Sequence, residues 1–528
     1  MTLLQINNLN LSINDTEILH NLSLTAEAGK IVAVIGESGS GKSMTAYCVN
    51  QLLPRGARAT GQVMFDGQDM LLTSEKAMCA VRGQDIGMVF QEPMTALNPV
   101  QTIGKQVAET VLVHGGASKA KALSIARETL NRVGLPAAEF PLGRYPHELS
   151  GGQRQRVVIA MAIALRPKLL IADEPTTAFD VTTQAQILDL LQNLVREDGM
   201  ALMLISHDLA VVANVADTLV IMRQGKVVES GPTAAVFAEM NHPYTRALFE
   251  ASNHVPKRLA ETQETPILKV TGLVRDYVLP RKTVFGPPPK LRAVNDVSFC
   301  LRRGESLGLV GESGCGKSTL TRAILGLDAV QSGSIEIDGQ AVSAGHTVPR
   351  ELRRKMQVVF QDPYGSFNPR HKVARLVAEP FHLLDNAPKG AARRHAVNRA
   401  LQEVGMLASD ADKYIHEFSG GQRQRIAIAR ALIIKPELII LDEAVSALDV
   451  SIRAQILDLL AELSDRLGLS YLFISHDLNV VRAITDRVMV MKSGEMIEEG
   501  ATEQVFTAPK HAYTKALIAA APVLEEMT

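Results

Sequence analysis

The sequence predicts an α/β protein with two tandem domains, each built around a mainly parallel β-sheet. A strand, a glycine-rich loop and a helix follow one another twice, with the loops beginning at Gly36 and Gly311. Later landmarks repeat at a nearly constant spacing of 269 or 270 positions. After helical stretches at about residues 102–133 and 373–404, strands alternate with helices, as in a parallel sheet covered by helices on its faces.

The repeat divides the chain into a first copy at residues 1–252, a linker at 253–266 and a second copy at 267–528. Glu, Thr, Gln, Pro and Lys dominate the linker, so we expect it to be short and flexible. The offset between the copies rises from 264 at their starts to 275 at the glycine-rich loops. This rise places an 11-residue insertion around residues 280–290, where the three prolines at 287–289 predict an extended, exposed loop.

Composition argues against several classes of protein. The 528 residues are 46% hydrophobic and 21% charged, with a formal net charge of −1, so the basic excess of a nucleic-acid-binding protein is absent. The four cysteines show neither paired nor metal-binding spacing, and we expect free thiols in a cytosolic protein. No apolar run approaches the roughly 20 residues of a membrane-spanning helix, so any membrane role is expected to be peripheral.

Each glycine-rich loop fits the phosphate-binding motif G-x-x-x-x-G-K-[ST]. In the first copy a buried strand at residues 31–35 precedes the loop, and a helix is expected from Met44 to Leu53. The glycines allow backbone N–H groups to turn inward and cradle an anion, while the Lys faces the β- and γ-phosphates and the last Ser faces Mg²⁺. The expected nucleotide-binding residues are Gly36, Glu37, Ser38, Gly39, Ser40, Gly41, Lys42 and Ser43, and Gly311, Glu312, Ser313, Gly314, Cys315, Gly316, Lys317 and Ser318.

Two carboxylates end an apolar strand in each copy. Asp173-Glu174 follows residues 169–172, and Asp442-Glu443 follows residues 438–441. A buried strand that delivers two carboxylates to its C-terminal edge suits metal-dependent phosphoryl transfer. The Asp is expected to bind Mg²⁺, directly or through water, and the Glu to polarise the attacking water.

A Ser-Gly-Gly-Gln sequence precedes a helix in each copy. The residues are Ser150, Gly151, Gly152 and Gln153 in the first copy and Ser419, Gly420, Gly421 and Gln422 in the second. Ser-x-x-Gln at a helix start is a capping box, so one interpretation is a well-capped helix with no further role. The other is that the glycines let a γ-phosphate bind directly to the N–H groups of the helix end. Spacing alone leaves both open.

With these motifs in this order, the chain resembles a tandem pair of ABC ATPase nucleotide-binding domains over nearly its whole length. The resemblance implies that each core sheet is accompanied by an antiparallel β subdomain and a helical subdomain. It makes residues 149–153 and 418–422 the signature loops of the family. It also implies that Asp180 and Asp449 lie in the loop that runs between the two domains.

In this family the domains pair head to tail, so each phosphate loop faces the signature loop of the other domain. The resemblance therefore implies two composite sites for ATP and Mg²⁺, which close on ATP binding and open after hydrolysis. Site one would join Lys42, Ser43, Gln91, Asp173, Glu174 and His207 with Ser419, Gly420 and Gly421. Site two would join Lys317, Ser318, Gln361, Asp442, Glu443 and His476 with Ser150, Gly151 and Gly152.

The resemblance also assigns roles within each site. The glutamines sense Mg²⁺ and the attacking water, and the histidines contact the γ-phosphate. The implied catalytic residues are Glu174, Gln91 and His207 in site one and Glu443, Gln361 and His476 in site two. The implied Mg²⁺ ligands are Ser43, Gln91 and Asp173 in site one and Ser318, Gln361 and Asp442 in site two.

Three positions depart from the family pattern. An aromatic residue usually stacks on adenine near the domain start, and Tyr277 fits this role, but its counterpart is Ile13. A weaker or different grip on adenine is therefore expected at site one. The second copy has Ala444-Val445 where the first keeps Pro175-Thr176, and we still expect site two to hydrolyse ATP because its Glu is intact. Phe179 replaces the usual Leu, which predicts a packing change.

Three further pairs of segments narrow the resemblance to the importers of oligopeptides, dipeptides and nickel. They are the Gly-Glu-Ser-Gly start of both phosphate loops, the stretches at residues 90–99 and 360–369, and the His-Pro-Tyr-Thr-like segments at 242–245 and 511–514. The resemblance implies a peripheral ATPase subunit at the cytoplasmic face of the inner membrane. It would serve two transmembrane permeases and an extracytoplasmic solute-binding protein. Peptides are the expected solute, with nickel or a nickel chelate as the alternative.

Two other classes of tandem ABC protein remain as alternatives. A cytosolic translation factor also has two ABC domains but usually carries a long charged helical arm between them, and none is visible here. A DNA-repair ATPase would need an inserted coiled coil or zinc-binding cysteines, and neither is present in the sequence. We therefore favour the importer.

Overall fold

In the computed structural model, each copy of the repeat folds into an α/β domain. The described residues are 2–91, 96–115, 117–177, 179–259, 262–279, 281, 287–342, 348–362, 365–446, 448–522 and 524.

The first copy contains an antiparallel sheet and a core sheet. Its strands are β1 (Thr2–Ile13), β2 (Thr16–Glu27), β3 (Ile31–Ile35), β4 (Ala57–Phe65), β5 (Gln68–Asp69), β6 (Ile86–Val89), β7 (Leu169–Asp173), β8 (Ala201–Ser206), β9 (Thr218–Arg223) and β10 (Lys226–Pro232). The antiparallel sheet has the order β2-β1-β4-β5, and the core sheet has the order β10-β9-β3-β8-β7-β6. All neighbours in the core sheet are parallel except the edge strand β10.

The second copy repeats both sheets. Its strands are β11 (Pro266–Val278), β12 (Lys290–Arg302), β13 (Ser306–Val310), β14 (Ser332–Ile337), β15 (Gln340–Ala341), β16 (Met356–Val359), β17 (Leu438–Asp442), β18 (Ser470–Ile474), β19 (Arg487–Lys492) and β20 (Glu495–Ala501). The sheet orders are β12-β11-β14-β15 and β16-β17-β18-β13-β19-β20. The predicted mainly parallel core sheets with an antiparallel β subdomain are therefore confirmed.

Helices cover the core sheets and form the helical subdomains. In the first copy they are α1 (Lys42–Val49), α2 (Glu75–Val81), α3 (Ile103–Val113), α4 (Lys119–Arg132), α5 (Gly151–Ile163), α6 (Val181–Asp198), α7 (Leu209–Val215), α8 (Thr233–Glu239) and α9 (Pro243–Ser252). In the second they are α10 (Lys317–Ile324), α11 (Arg350–Lys355), α12 (Val373–Val377), α13 (Gly390–Glu403), α14 (Gly420–Leu432), α15 (Val450–Leu467), α16 (Leu478–Ile484), α17 (Thr502–Thr507) and α18 (Ala512–Ala519). No helix in these described stretches is both long and apolar enough to cross a membrane.

The central strands are buried along their whole length. Every residue of β3 and of β13 is buried, because each strand lies in the middle of a sheet whose faces are covered. Such strands form continuous apolar runs rather than alternating patterns. The carboxyl ends of β3, β7 and β8 meet at one edge of the sheet, where the phosphate loop, Asp173-Glu174 and His207 lie.

Two predicted helical regions differ in their bounds. The helix after the first phosphate loop begins at Lys42, because Gly41 takes a left-handed φ of 98° and the helix follows directly. The stretch expected at residues 373–404 is broken by a 3₁₀ turn at Glu379–Leu383. Pro380 lies at its start and has no N–H group to continue an α-helix.

The linker lies against the second copy over its described part. His254 pairs with Asp458 at 2.6 Å, and the Arg258 guanidinium donates to Asp486 at 2.9 Å. These contacts fix a segment that its composition predicted to be flexible. Residues 260 and 261 lie outside the described residues.

The predicted insertion is described only in part. Residues 280 and 282–286 lie outside the described residues. The prolines at 287–289 have no regular secondary structure, and the first of them is exposed. The N–H of Leu279 donates to the carbonyl of Pro289 at 2.8 Å, which closes the base of this loop.

Candidate functional site

Each phosphate loop is packed so closely at its first residue that only glycine fits. Gly36 has a φ of 153°, and a Cβ there would lie 2.2 Å from the carbonyl oxygen of Met222. Gly311 has a φ of 151°, and its Cβ would lie 2.2 Å from the carbonyl oxygen of Met491. The loops are thus seated on the ends of β9 and β19, with their N–H groups at the N-terminus of α1 and of α10.

The lysine of each loop is folded back over the loop. Lys42 Nζ donates to the carbonyl oxygens of Gly36 at 2.7 Å and Glu37 at 3.0 Å. Lys317 makes the same contacts in its own loop, at 2.6 and 2.9 Å. Burial lowers the pKa of Lys42 despite the nearby carboxylates. A buried ammonium at an anion cradle suits a phosphate ligand.

A hydroxyl and a carboxylate meet beside the first loop. Ser43 Oγ donates to Asp173 Oδ1 at 3.0 Å. Burial raises the pKa of Asp173, and the hydrogen bond from Ser43 offsets part of that rise. Oxygen ligands are what Mg²⁺ prefers, so this pair fits the predicted metal. In the second copy, burial and the charge of Glu443 raise the pKa of Asp442 to about 6.

Three side chains of the first copy contact the carboxylate of Glu174. Its carboxylate accepts hydrogen bonds from Gln91 at 2.9 Å and from Thr177 at 2.9 Å, and His207 Nδ1 lies 3.2 Å away. Burial would raise the pKa of Glu174, but the hydrogen bonds and charge of His207, with Thr177, hold it at about 2. The carboxylate is therefore ionised at neutral pH.

The histidine beside this carboxylate is buried. Burial would lower the pKa of His207, but the hydrogen bond to Glu174 and the charge of that carboxylate outweigh burial and raise it. The predicted group of glutamine, glutamate and histidine is thus assembled at one strand edge. Residues 92–95 and 363–364, which belong to the predicted segments after the glutamines, lie outside the described residues.

Glu443 has the same surroundings with one contact fewer. It accepts a hydrogen bond from Gln361 at 2.7 Å, and His476 Nδ1 lies 3.3 Å away. Ser446, the counterpart of Thr177, donates to the backbone carbonyl of Glu443 at 2.8 Å rather than to its carboxylate. The net effect of His476 and Lys317 is still a lowered pKa for Glu443, against the effect of burial.

The two copies touch at their phosphate loops. The N–H of Ser38 donates to Asp449 at 2.9 Å, and the N–H of Ser313 donates to Asp180 at 3.2 Å. Thr182 Oγ1 also donates to Glu312 at 3.0 Å. Each predicted inter-domain Asp therefore reaches the phosphate loop of the opposite copy, which is the arrangement of a head-to-tail pair.

The capping boxes form in both copies. Ser150 and Gln153 exchange hydrogen bonds of 2.9 and 3.3 Å, and Ser419 and Gln422 exchange bonds of 3.1 and 3.4 Å. This confirms the cap and leaves the γ-phosphate contact a prediction.

The second glycine of each signature loop packs on the helix that follows the inter-domain Asp. A Cβ at Gly152 would lie 2.5 Å from Thr183 Cγ2, and one at Gly421 would lie 2.3 Å from Ile452 Cγ2. Each signature loop is therefore connected, through the start of α6 or α15, to the opposite phosphate loop. The ring of Phe179 lies beside the first signature glycine, 3.1 Å from where a Cβ at Gly151 would be, and the packing change relative to a Leu stays a prediction.

The positions predicted to stack on adenine differ between the copies. The Tyr277 hydroxyl donates to Asp328 at 2.8 Å, and the Arg275 guanidinium lies 4.5 Å from the ring centre. Ile13 instead ends β1 at a two-residue turn, where Asn14 and Asp15 have φ of 46° and 67°. Such a tight hairpin turn provides no aromatic ring.

Two features of the site were not predicted. Glu174 and Glu443 have left-handed φ values of 48° and 51°, a costly conformation for a residue with a Cβ. Tyr244 and Tyr513 contact the phosphate loops through their hydroxyls. Their constant spacing of 269 positions was a signal, but it did not indicate what they contact.

Comparison with known proteins identifies the family. Residues 19–177 and 294–446 match the family model for the ABC transporter, and together these stretches cover more than half of the chain. Residues 228–270 and 497–528 match the C-terminal region of the oligopeptide/dipeptide transporter. The chain belongs to the ABC transporter family, whose nucleotide-binding domains bind ATP, and carries two such domains.

Relatives match the chain over almost its whole length. It is 45% identical over 504 residues to the peptidoglycan transport ATP-binding protein YejF of Agrobacterium fabrum (strain C58), covering 95% of this chain and 92% of that protein. It is 45% identical over 546 residues to the glutathione import ATP-binding protein GsiA of Salmonella paratyphi A, covering 96% and 87%. For GsiA of Escherichia coli (strain K12), it is 44% identical over 566 residues, covering 99% and 90%.

These comparisons confirm the predicted branch of the family. The C-terminal region that defines the oligopeptide/dipeptide transporters occurs in both copies, at the predicted His-Pro-Tyr-Thr segments. An ATPase activity coupled to transport follows from this membership. The translation-factor and DNA-repair alternatives are not supported.

Proposed function

We propose that the chain is the ATP-hydrolysing subunit of an importer that takes up peptides through two transmembrane permeases. The observation that carries this proposal is the oligopeptide/dipeptide C-terminal region in both copies. The names of the relatives agree with it, since glutathione is a tripeptide and peptidoglycan carries peptide stems. The chain would act at the cytoplasmic face of the inner membrane, and a solute-binding protein on the other side would deliver the peptide.

In site one, the phosphate loop of the first copy would bind ATP against the signature loop of the second. Lys42 would attract the β- and γ-phosphates, and Ser419 with its glycines would offer N–H groups to the γ-phosphate. Mg²⁺ would neutralise phosphate charge here, held by Ser43, Asp173 and Gln91. Glu174 would accept the proton of the attacking water, and His207, whose Nδ1 lies beside that carboxylate, would contact the γ-phosphate.

In site two, the same roles fall to the counterparts. Lys317 would attract the phosphates, Glu443 would act as the base, and His476 would contact the γ-phosphate. Ser318, Asp442 and Gln361 would hold the metal, and Ser150, Gly151 and Gly152 would come from the first copy. Because Asp180 and Asp449 each touch the opposite loop, closing one site would close the other.

The permeases would dock beside the two glutamines. The residues immediately before the two glutamines are exposed apolar side chains, with Phe90 and Phe360 at 40% and 38% exposure. Exposed apolar surface next to a functional loop is typical of regions that meet a partner. This surface would receive the cytoplasmic helices of the permeases and transmit closure of the ATP sites to them.

Partner composition is tested by a mild-detergent pull-down of the chain at native abundance, with bound proteins identified by mass. We expect two polytopic permeases in equal amounts. Ribosomal proteins without permeases would contradict the importer.

The solute is tested with the purified complex in vesicles that contain ATP. Labelled short peptides and a nickel chelate are supplied outside together with the binding protein. We expect peptide uptake that is lost in a matched complex carrying Glu174→Gln and Glu443→Gln. Uptake of the nickel chelate without peptide uptake would contradict the peptide assignment.

A further inference from the structure

The tyrosine of each His-Pro-Tyr-Thr-like segment contacts the phosphate loop of its own copy. The Tyr244 hydroxyl accepts a hydrogen bond from the N–H of Glu37 at 3.2 Å, and the Tyr513 hydroxyl accepts one from the N–H of Glu312 at 3.0 Å. Both tyrosines are buried, at 6% and 8% exposure. The ATP-binding roles described above do not include either residue.

In the first copy, the rest of the segment holds this tyrosine in place. His242 caps α9, because its Nδ1 accepts from the N–H of Tyr244 at 3.1 Å, and Pro243 begins the helix. Glu229 on β10 accepts from the N–H groups of Asn241 at 2.8 Å and His242 at 3.2 Å. The segment is thus fixed to the edge of the core sheet, and its third residue is directed at the phosphate loop.

The second copy repeats this arrangement although proline is replaced by alanine. His511 Nδ1 accepts from the N–H of Tyr513 at 3.0 Å. Glu498 on β20 accepts from the N–H groups of Lys510 at 2.7 Å and His511 at 3.0 Å. Both tyrosines keep their contact with the phosphate loop despite this substitution. The contact therefore does not require the proline.

A cation covers each tyrosine ring. The Arg223 guanidinium lies 4.9 Å from the ring centre of Tyr244, and the Lys492 ammonium lies 4.8 Å from that of Tyr513. Burial raises the pKa of both tyrosines to about 12, so the hydroxyls stay neutral at physiological pH. A neutral hydroxyl on a fixed ring is a stable acceptor for a backbone N–H.

The next N–H of each loop is bound by the opposite copy. Ser38 follows Glu37 and donates to Asp449, at the start of α15. Helix α9, which carries Tyr244, also packs against α15. Helix α9 therefore contacts the first phosphate loop through Tyr244 and also packs against α15. Asp449, at the start of α15, contacts the same loop from the second copy.

We propose that Tyr244 and Tyr513 are positioning residues that hold the first turn of each phosphate loop in its ATP-binding shape. This role would explain why the His-Pro-Tyr-Thr-like segment accompanies the ABC domain in this chain. The inference rests on the proposed use of ATP at both loops. Without the hydroxyl, the second N–H of the loop loses its partner and the loop samples other shapes before ATP binds. The catalytic Glu and His lie on other elements and keep their geometry.

The test is Tyr244→Phe and Tyr513→Phe in the full chain, which removes only the hydroxyl. We expect ATP affinity at the altered loop to fall about 3- to 10-fold, the loss of roughly one hydrogen bond, with kcat at saturating ATP within about twofold. Tyr471→Phe is the matched control, because Tyr471 is a buried tyrosine whose hydroxyl donates to the carbonyl of Leu460 at 3.0 Å, away from the loops. The control is expected to bind ATP normally.

Each loop is read separately by adding Lys317→Ala to Tyr244→Phe, and Lys42→Ala to Tyr513→Phe, and measuring equilibrium ATP binding. Faster amide hydrogen exchange over residues 36–38 is also expected in Tyr244→Phe but not in Tyr471→Phe. ATP affinity within twofold of the parent in both variants, or an equal loss in Tyr471→Phe, would overturn the role of the tyrosines. Failure of the unaltered chain to bind ATP would instead overturn the proposed function itself.

Discussion

The two phosphate loops share a framework but differ in how firmly each copy holds its glutamate. Glu174 is contacted by Gln91, Thr177 and His207, whereas Glu443 lacks the contact from the residue at the Thr177 position. Ser43 also bonds to Asp173, while Asp442 has a pKa raised to about 6 by burial and the charge of its neighbour. The glutamate and aspartate of the first copy therefore accept more side-chain hydrogen bonds than their counterparts in the second copy.

At the position predicted to stack on adenine, the second copy has the feature that the first copy lacks. The second copy presents Tyr277, held by Asp328 and covered by Arg275, while the first copy ends the same strand at Ile13. Each copy therefore has one feature predicted for an ABC site that the other copy lacks. We infer that both sites hydrolyse ATP, that site one does so faster and that site two holds the adenine more firmly.

The largest test of this comparison is removal of each glutamate. Loss of a general base typically costs about 10²–10⁴ in rate. We expect Glu174→Gln to reduce the total ATPase rate more than Glu443→Gln, and the double variant to bind ATP without turnover. Steady-state ATPase assays of the three variants check this order. Equal losses in the two single variants would remove the proposed inequality, and undiminished ATPase in the double variant would refute the catalytic assignment.

Supplying the missing ring should bring the two sites closer together. Ile13→Tyr is expected to tighten ATP binding at site one by about 3- to 10-fold, because ring stacking adds about 0.5–1.5 kcal/mol beyond area burial. The reciprocal variant, Tyr277→Ile, should loosen site two by a similar factor. Nucleotide titrations with the other site blocked by Lys317→Ala or Lys42→Ala provide the measurement. Unchanged binding in Ile13→Tyr would show that adenine at site one is held in another way.

The third contact to Glu174 gives a smaller test. Thr177→Ala removes a donor to the carboxylate, and we expect kcat at site one to fall about threefold with little change in KM, because Gln91 and His207 remain. Ser446→Ala is the matched control in the second copy, where the hydroxyl bonds to a backbone carbonyl. ATPase kinetics in which both variants behave alike would argue against the difference between the glutamates.

The smallest difference between the copies is expected in stability, at a pair of buried glutamines outside the two ATP sites. Gln155 donates to the carbonyl of Pro175 at 2.8 Å, whereas among the described residues Oε1 of Gln155 and Nε2 of its counterpart Gln424 are buried with no hydrogen-bond partner. Gln155→Leu should therefore cost about 1 kcal/mol of unfolding free energy, because it leaves a buried carbonyl unpaired while removing the unpartnered Oε1, and Gln424→Leu should be close to neutral. Chemical denaturation of both variants checks this. A larger loss in Gln424→Leu would contradict it.

Local patterns predicted most of the framework. The phosphate loops, the paired carboxylates at strand ends and the capping boxes depend on a few consecutive residues, and the constant offset made each one visible twice. The bounds of α1 and the break at Pro380 were set by single residues whose effect was underestimated. Helix termini are decided by such local competition, which periodicity does not resolve.

Contacts between residues far apart in the chain could not be predicted from the sequence. Glu174, with its left-handed φ, donates its N–H to the carbonyl of Ile205 on the adjacent strand, at 3.0 Å. The bond from Tyr244 to the phosphate loop joins residues 207 positions apart. No alternation or motif encodes which backbone group such a side chain will meet, because this is settled only when the sheet is assembled.

The central claim is that each ATP is bound between the two copies of one chain. Two combinations are made in a Glu174→Gln and Glu443→Gln background. Lys42→Ala with Ser419→Arg alters only site one, whereas Lys42→Ala with Ser150→Arg alters both sites. After gel filtration with Mg²⁺ and ATP, the first combination should retain one ATP per chain and the second should retain none. Retention of one ATP by the second combination and none by the first would contradict head-to-tail pairing.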